Sequence, residues 1–537
     1  MKKLLLYLLL AVQLSAYAQE DAWVYLTDKP QAQFYLANPL EMLSQKSLDR
    51  RVKQGIALDE KDVPVHESYI TLIDDAEGIT VMAKSKWFNA LHIRGNVDDI
   101  NALAELPFVL NVDFADDSLD GAGRPAGSTK PKSVNKVQDA TVDFSYGTSG
   151  NQIQMLNGHL LHQQDLTGEG MTIAVLDAGF PGVNTAVPFQ RLRDDELILG
   201  GYNFVDRNDN FYTRGNHGSL VLSTMGGYAE GQLIGTAPDA FYYLFITEDT
   251  TSENPVEESY WVEAAEMADS LGVDVINTSL GYFTYDNPAY SYSYEDINGN
   301  KAFITRGANI AFTKGIFLVN SAGNTGATVN EHITVPADAF NTLTVGAVTA
   351  TEQVANFSSI GPTYDMRVKP DVMAQGSPGV IANSTGQITT ANGTSVSSPI
   401  VAGLVACLWQ ALPNKTNAEI LQLVRQSADR YNNPNVQYGY GIPDFALALQ
   451  DGLGIPRAED KAFALYPNPS ADIVQLILPN DVRTAVVTVH NNLGQIVLQS
   501  QVGADMPSFS VETLAEGIYY YRIQAGQETY KGKLVKE

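Results

Sequence analysis

Apolar and polar positions recur with different periods along this chain, and the changes of period divide it. Met171 to Leu176 is an almost unbroken apolar run, which predicts a central parallel strand buried on both faces and ending at Asp177, Ala178 and Gly179. Leu220 to Met225 and the long stretch after Pro399 read as buried helices. Further on the period falls to two. Ile473–Leu478, Ala485–His490, Gln495–Gln501, Ser508–Val511 and Gly517–Gln524 read as strands, with Asn492 and Gly494 at a turn, and together they predict a β-sandwich. Near the start, Trp23–Leu26 and Ser68–Ile73 read as strands, Leu40–Lys53 as an amphipathic helix and Ile93–Val112 as a strand, helix, strand unit. These predict a small α+β domain.

The segments between these patterns place the boundaries. Residues 1–18 combine Lys2 and Lys3, an apolar stretch from Leu4 to Leu14 and a small-x-small site at Ala16, Tyr17 and Ala18, which is the pattern of a signal peptide. The α+β domain then covers 19–115. Residues 116–144, rich in Gly, Asp, Ser, Pro and Lys, read as a linker that a peptidase can reach. A large α/β domain follows over 145–452, a short linker over 453–463 and the sandwich over 464–537. No segment after the leader reads as an uninterrupted apolar span of membrane length.

The chemistry concentrates in the α/β domain. Ser395 lies behind Gly393 and Thr394, where a buried helix begins, so its hydroxyl is expected at the positive end of that helix. A serine hydroxyl needs a histidine to take its proton and a carboxylate to hold the histidine. Of seven histidines, His217 alone is flanked by small residues, Gly215, Asn216, Gly218 and Ser219, and followed by an apolar helix that would hold the ring. Asp177, at the carboxyl end of a central strand, occupies the usual location of sites in open α/β sheets. Alone, Ser395 could be a helix cap and Asp177 a turn residue; together with His217 they are hard to explain as structure. A nucleophile elbow does not fit, because Ser397 stands where that motif needs glycine and only His490 follows Ser395.

The order Asp177, His217, Ser395 and the motifs around them resemble the subtilase family of serine peptidases. The resemblance covers roughly Tyr146 to Gln450 and includes Phe317–Asn324, Asp274–Gly281 and Lys369–Val372. It implies a subtilisin-like three-layer domain with a mostly parallel sheet. It also implies an acyl-enzyme mechanism on protein or peptide substrates, with Asn324 as oxyanion donor. Ser279, Leu280, Gly281 and Gly323 would border the substrate backbone. The 19–115 domain is similar to the family's inhibitory, chaperone-like pro-domains, and self-cleavage in the following linker is expected. Tyr466, Pro467, Asn468, Pro469 and the strand from Gly517 resemble a type IX secretion sorting domain, which would make the secretion machinery a partner and place the protein outside a Gram-negative cell; a carbohydrate- or protein-binding sandwich is the alternative. Two departures from the family pattern stand out. Ala178 lacks a hydroxyl that could support Asp177, and Ser219 replaces the usual Thr.

Composition narrows the partners. With 34 basic and 61 acidic residues the net charge is −27, which opposes nucleic acid or anionic membrane as a main partner. The single cysteine, Cys407, excludes an intrachain disulfide and is expected to be a buried packing residue. A monomer is expected. No cofactor is required, although the resemblance allows a structural calcium, for which Asp206, Asn208, Asp209 and Asn210 offer oxygens without EF-hand spacing. Glu248, Asp249 and Glu253 lie by resemblance near the non-prime cleft and could select a basic side chain, against the simpler reading of a solvated acidic loop. The competing function is a catalytically silent surface protein on the same scaffold.

Overall fold

Residues 20–114 build an antiparallel sheet backed by helices, in a computed structural model that describes residues 19–119, 144–455, 464–477, 483–503, 507–526 and 528–537. The expected signal peptide over 1–18 lies outside the described residues, as do nearly all of the expected linker over 116–144 and most of that over 453–463. Strands β1 (Glu20–Leu26), β2 (Thr80–Ser85), β3 (Ala90–Gly95) and β4 (Val109–Phe114) pair in the order β2-β3-β1-β4. Helices α1 (Gln45–Gln54), α2 (Glu67–Asp74) and α3 (Val97–Ala102) belong to this region, together with a short helix over Ala32–Ala37.

Three sequence expectations are corrected here. Ser68–Ile73 is helical, because Tyr69, Ile70 and Ile73, which share a helix face, pack into the core beside Val24, Leu91 and Ile93. The expected helix from Leu40 starts only at Gln45, where Ser44 caps it by accepting from the Ser47 N–H at 3.2 Å; Pro39–Glu41 forms a separate 3-10 turn. Strand β2 was not anticipated.

The second region is a seven-stranded parallel sheet of β5 (Thr172–Asp177), β6 (Ile198–Asn203), β7 (Phe241–Ile246), β8 (Val275–Thr278), β9 (Phe317–Ser321), β10 (Leu343–Thr349) and β11 (Val372–Ser377). The order is β11-β10-β9-β8-β5-β7-β6. Every residue of β5 is buried, as an unbroken apolar run requires when helices cover both faces. Helices α4 (His217–Gly226) and α7 (Thr394–Ala411) pack together in one layer, and α5 (Val256–Leu271) and α6 (Phe303–Thr313) in another. The chain leaves β5 toward β6 and β7, then returns to β8 on the other side. Such a reversal opens a crevice at the carboxyl ends of the strands. By length and composition α7 could cross a membrane, contrary to expectation, but nearly all of it is buried against the sheet and α4.

The N-terminal sheet lies on α5 and α6. The indole of Trp23 donates to Ser259 Oγ at 2.9 Å and stacks on Phe303 at 5.0 Å. Glu266 of α5 accepts the N–H groups of Lys86 and Trp87, at 2.8 and 2.9 Å, from the β2–β3 turn.

The described residues up to Leu449 form one compact unit, and those from Gln450 onward form another. The second unit pairs β12 (Ala464–Tyr466), β13 (Ile473–Ile477) and β16 (Ser508–Ser510) in one sheet. The other contains β14 (Thr484–His490), β15 (Ile496–Gly503), β17 (Gly517–Ala525) and β18 (Glu528–Lys536). Val474 and Leu476 of the first sheet share a core with Val487, Val489 and Ile523 of the second, so the unit is a sandwich.

Candidate active site

Asp177 is the last residue of β5 and fully buried. Its Oδ1 accepts the Ala178 N–H at 2.7 Å and faces His217 Nδ1 at 2.8 Å. His217 opens α4, and two glycines allow that helix to come so close. A Cβ on Gly218 would lie 2.6 Å from the Gly179 carbonyl, and one on Gly215 would lie 3.0 Å from the Ala178 methyl. The imidazole is 40% exposed whereas the carboxylate is 1% exposed, so one edge of the ring is anchored and the other is open to solvent. The Asp177 charge raises the histidine above its ordinary value, and burial opposes this. Asp177 Oδ2 is buried without a hydrogen-bond partner among the described residues, and the neighbouring Ala178 has no side-chain hydroxyl to offer.

Ser395 sits in the first turn of α7, half-buried. Pro399, four residues on, has no N–H to donate to the Ser395 carbonyl, so the helix starts with that group released. Thr394 and Asn324 are joined twice: Asn324 Oδ1 accepts from the Thr394 N–H at 2.9 Å and from its hydroxyl at 3.0 Å. With its oxygen committed, Asn324 turns its Nδ2 outward as a donor. A Cβ on Gly393 would lie 2.8 Å from Ser395 Oγ and 3.7 Å from Asn324 Nδ2, so hydroxyl and amide border the same small space. Gly323, at φ +108°, turns the chain between β9 and Asn324, and its N–H donates to Thr394 Oγ1 at 3.2 Å. Ser395 makes no hydrogen bond to His217 among the described residues; such contacts commonly close only when substrate binds.

Ser279, Leu280 and Gly281 follow directly on the carboxyl end of β8. Buried Asn277, which sequence reasoning missed, links them to α7: Ser398 Oγ donates to its Oδ1 at 3.0 Å and its Nδ2 donates to Ser279 Oγ at 3.0 Å. Thr394 was missed as well, although its position between Gly393 and Ser395 was the available signal.

The acidic loop after β7 is neither freely solvated nor an open anionic pocket. Asp249 pairs with Arg214 at 3.1 Å, and Glu257 accepts the N–H groups of Asp249 and Asn254 at 2.8 and 2.9 Å. Glu248 accepts from the Tyr282 hydroxyl, and burial pushes its carboxyl up to about 8. Glu253 remains partly desolvated, with its pKa raised. The calcium reading does not fit the 206–210 loop: Asp206 is taken up by Arg214 Nε and Asn203 Nδ2, both at 2.8 Å. Among the described residues no group of three or more His, Cys, Asp or Glu could hold a metal ion.

The other histidines do not join the site. His162 is buried, bonds Tyr146 and the Thr236 carbonyl, and is lowered by burial to about 4. His332 stacks on Tyr294 at 3.9 Å, and buried His92 pairs with Asp21 at 2.9 Å. Lys369 and Asp371 form a buried pair at 2.7 Å that is structural. Cys407 is buried, with Sγ 3.1 Å from the Thr236 carbonyl.

Comparison with known proteins agrees with this arrangement. Residues 168–441 match the Subtilase family, residues 21–134 a Peptidase S8 propeptide domain of Bacteroidota, and residues 464–537 a secretion system C-terminal sorting domain. The chain is 30% identical over 328 residues to Subtilisin NAT of Bacillus subtilis subsp. natto, covering 60% of this chain and 77% of the relative. The same figures hold for Subtilisin E of Bacillus subtilis strain 168. Subtilisin of Bacillus pumilus is 30% identical over 304 residues, 56% of this chain and 98% of its own length. The chain belongs to the subtilase family. It is a serine endopeptidase that is secreted or held at the cell surface.

Proposed function

We propose that Ser395, His217 and Asp177 are the catalytic triad, with Asn324 as the oxyanion donor. His217 Nε2 takes the proton of Ser395 as its hydroxyl oxygen attacks a peptide carbonyl. The imidazolium, stabilised by Asp177, then returns that proton to the leaving amine. Water, deprotonated by the same histidine, attacks the acyl-enzyme and releases the acid. The oxyanion in each half-reaction accepts from Asn324 Nδ2 and the Ser395 N–H. Ser279, Leu280 and Gly281, together with Gly323, pair with or border the substrate backbone. The observation that carries this reading is the pair of anchored partners: His217 on Asp177 at 2.8 Å, and Asn324 oriented by Thr394 beside Ser395.

The protein is made, in this reading, as a precursor whose 19–115 domain inhibits it until the 116–144 linker is cut. The 464–537 sandwich directs export through type IX secretion. A fluorophosphonate probe tests the central point, because it reacts only with an activated serine. Stoichiometric labelling of the processed protein, abolished in Ser395→Ala and strongly reduced in His217→Ala, is expected. Equal labelling of Ser395→Ala overturns the assignment.

A further inference from the structure

Between β1 and α2 the N-terminal region carries a long excursion, residues 27–66, that reaches a part of the peptidase domain remote from the crevice. Its helix α1 lies where α5 turns into β8 and α6 turns into β9. Arg50 and Arg51, both buried, converge on buried Asp269 at the end of α5. Arg51 Nη2 lies 2.7 Å from Asp269 Oδ2 and 2.8 Å from Asp62 Oδ1, and Arg50 also donates to the Val273 carbonyl. Lys314, at the end of α6, answers from the peptidase side with contacts to Asp59 at 2.8 Å and Asp62 at 3.1 Å. Around this core, Lys46 pairs with Asp274 at 3.0 Å, and the Ser44 N–H donates to the Ser270 carbonyl at 2.8 Å. Gln54 donates to the Gly315 carbonyl at 2.8 Å and accepts from the Asn417 N–H at 3.2 Å.

The receiving surface is shaped for this helix. Gly272 and Gly315 both have left-handed backbones, at φ +83° and +89°. A Cβ on Gly272 would lie 2.7 Å from the Ser47 N, and one on Gly315 would lie 2.8 Å from Gln54 Nε2. Apart from Asn417, the contacts fall on residues that precede β8 and β9, and Lys46 also bonds Thr172, the first residue of β5. Asp177, Asn324 and Ser279–Gly281 all lie at the opposite, carboxyl ends of these strands. Five residue steps along β5 separate Thr172 from Asp177, about 16 Å. The excursion is also tied to the sheet of its own region: Lys29 Nζ donates to the carbonyls of Glu60, Val63 and Lys86, at 2.6, 2.5 and 2.6 Å.

We propose that the face built by Asp269, Lys314, Gly272 and Gly315 is a second docking surface for the pro-region, and that α1 is a charged latch holding the cleaved pro-region on the enzyme independently of the crevice. The proposal rests on the precursor reading above. Breaking the chain between 116 and 144 leaves every latch contact in place, so cleavage and release become separate events. Truncating one partner of a buried, hydrogen-bonded ion pair acts mainly on dissociation, and loss of the arginines is expected to speed release on the order of 10²-fold.

The test uses the full chain, allowed to process, with release followed by gel filtration and the appearance of active enzyme followed by fluorophosphonate labelling. The wild-type N-terminal fragment is expected to co-elute with the peptidase after cleavage, whereas Arg50→Ala/Arg51→Ala is expected to lose the fragment early and shorten the lag. Lys46→Ala/Gln54→Ala, which leaves the buried charges paired, is expected to shift release in the same direction by a smaller factor and serves if the arginine variant does not fold. Final kcat per labelled serine is expected to be equal in all three. Wild-type release rates in the variants overturn the latch while leaving the precursor reading intact. A wild-type chain that is never cut in the linker, or is fully active before cleavage, overturns the precursor reading and the latch with it.

Discussion

The side-chain oxygen of Asn324 is held by both the N–H and the hydroxyl of Thr394, the residue before the serine assigned as nucleophile. This double contact decides which end of the amide faces Ser395. Removing the amide in Asn324→Ala is expected to lower kcat about 10²–10³-fold with a smaller effect on KM, the range established for a subtilisin oxyanion residue. Thr394→Val keeps the N–H contact but loses the hydroxyl. It is expected to lower kcat with KM nearly unchanged, and Thr394→Ser is expected to restore it. Unchanged kcat in Asn324→Ala removes that residue from the role.

The carboxylate of Asp177 raises the His217 pKa, so the group must be deprotonated to act as a base. The acid limb of the kcat/KM profile is therefore expected to have its midpoint above the ordinary histidine value. Asp177→Asn, which removes the charge, is expected to move that limb to lower pH and to reduce kcat by about 10⁴-fold. An acid limb that stays in place in Asp177→Asn contradicts the electrostatic account.

Glu248 lies two residues beyond the strand position that pairs with Asp177 and keeps its proton up to about pH 8. A carboxyl whose folded pKa is raised gives its full contribution to stability below the unfolded value of 4.5, and loses it as pH climbs toward 8. Glu248→Gln keeps an acceptor for the Tyr282 hydroxyl and has no proton to lose. Its Tm relative to wild type is expected to rise between pH 5 and pH 8.5, read by calorimetry. A difference that is flat across this range argues that Glu248 is ionised throughout.

Processing supplies another check. If the endopeptidase cuts its own linker, Ser395→Ala is expected to accumulate as a full-length secreted precursor, while wild type shows an N-terminus between residues 116 and 144. Terminal mapping by mass spectrometry reads this directly. Identical termini in both proteins exclude self-cleavage and point to a protease of the host.

Much of the candidate site was legible because its residues carry local signatures. An apolar strand ending in Asp177, a small-residue frame around His217 and the Gly-Thr-Ser start of a helix each reflect a short-range requirement: burial, close approach or helix geometry. Thr394 and Asn277 were missed because their work is done at long range, on Asn324 and between α7 and β8. The helix at Glu67–Asp74 was misread as a strand for a related reason. Its β-branched residues favour extended chain, but their packing against β1 and β3 decides otherwise.

By itself, then, the order of residues determined most of the elements, the family and the candidate reacting groups, since periodicity, caps and motifs are written over a few neighbouring positions. Only the tertiary structure decided which distant groups meet: Asp177 with His217, Asn324 with Thr394, and Arg51 with an aspartate 218 positions away. Such pairings depend on how strands order themselves in a sheet and on which charges must find a partner when both are withdrawn from water, and neither is encoded within a single segment.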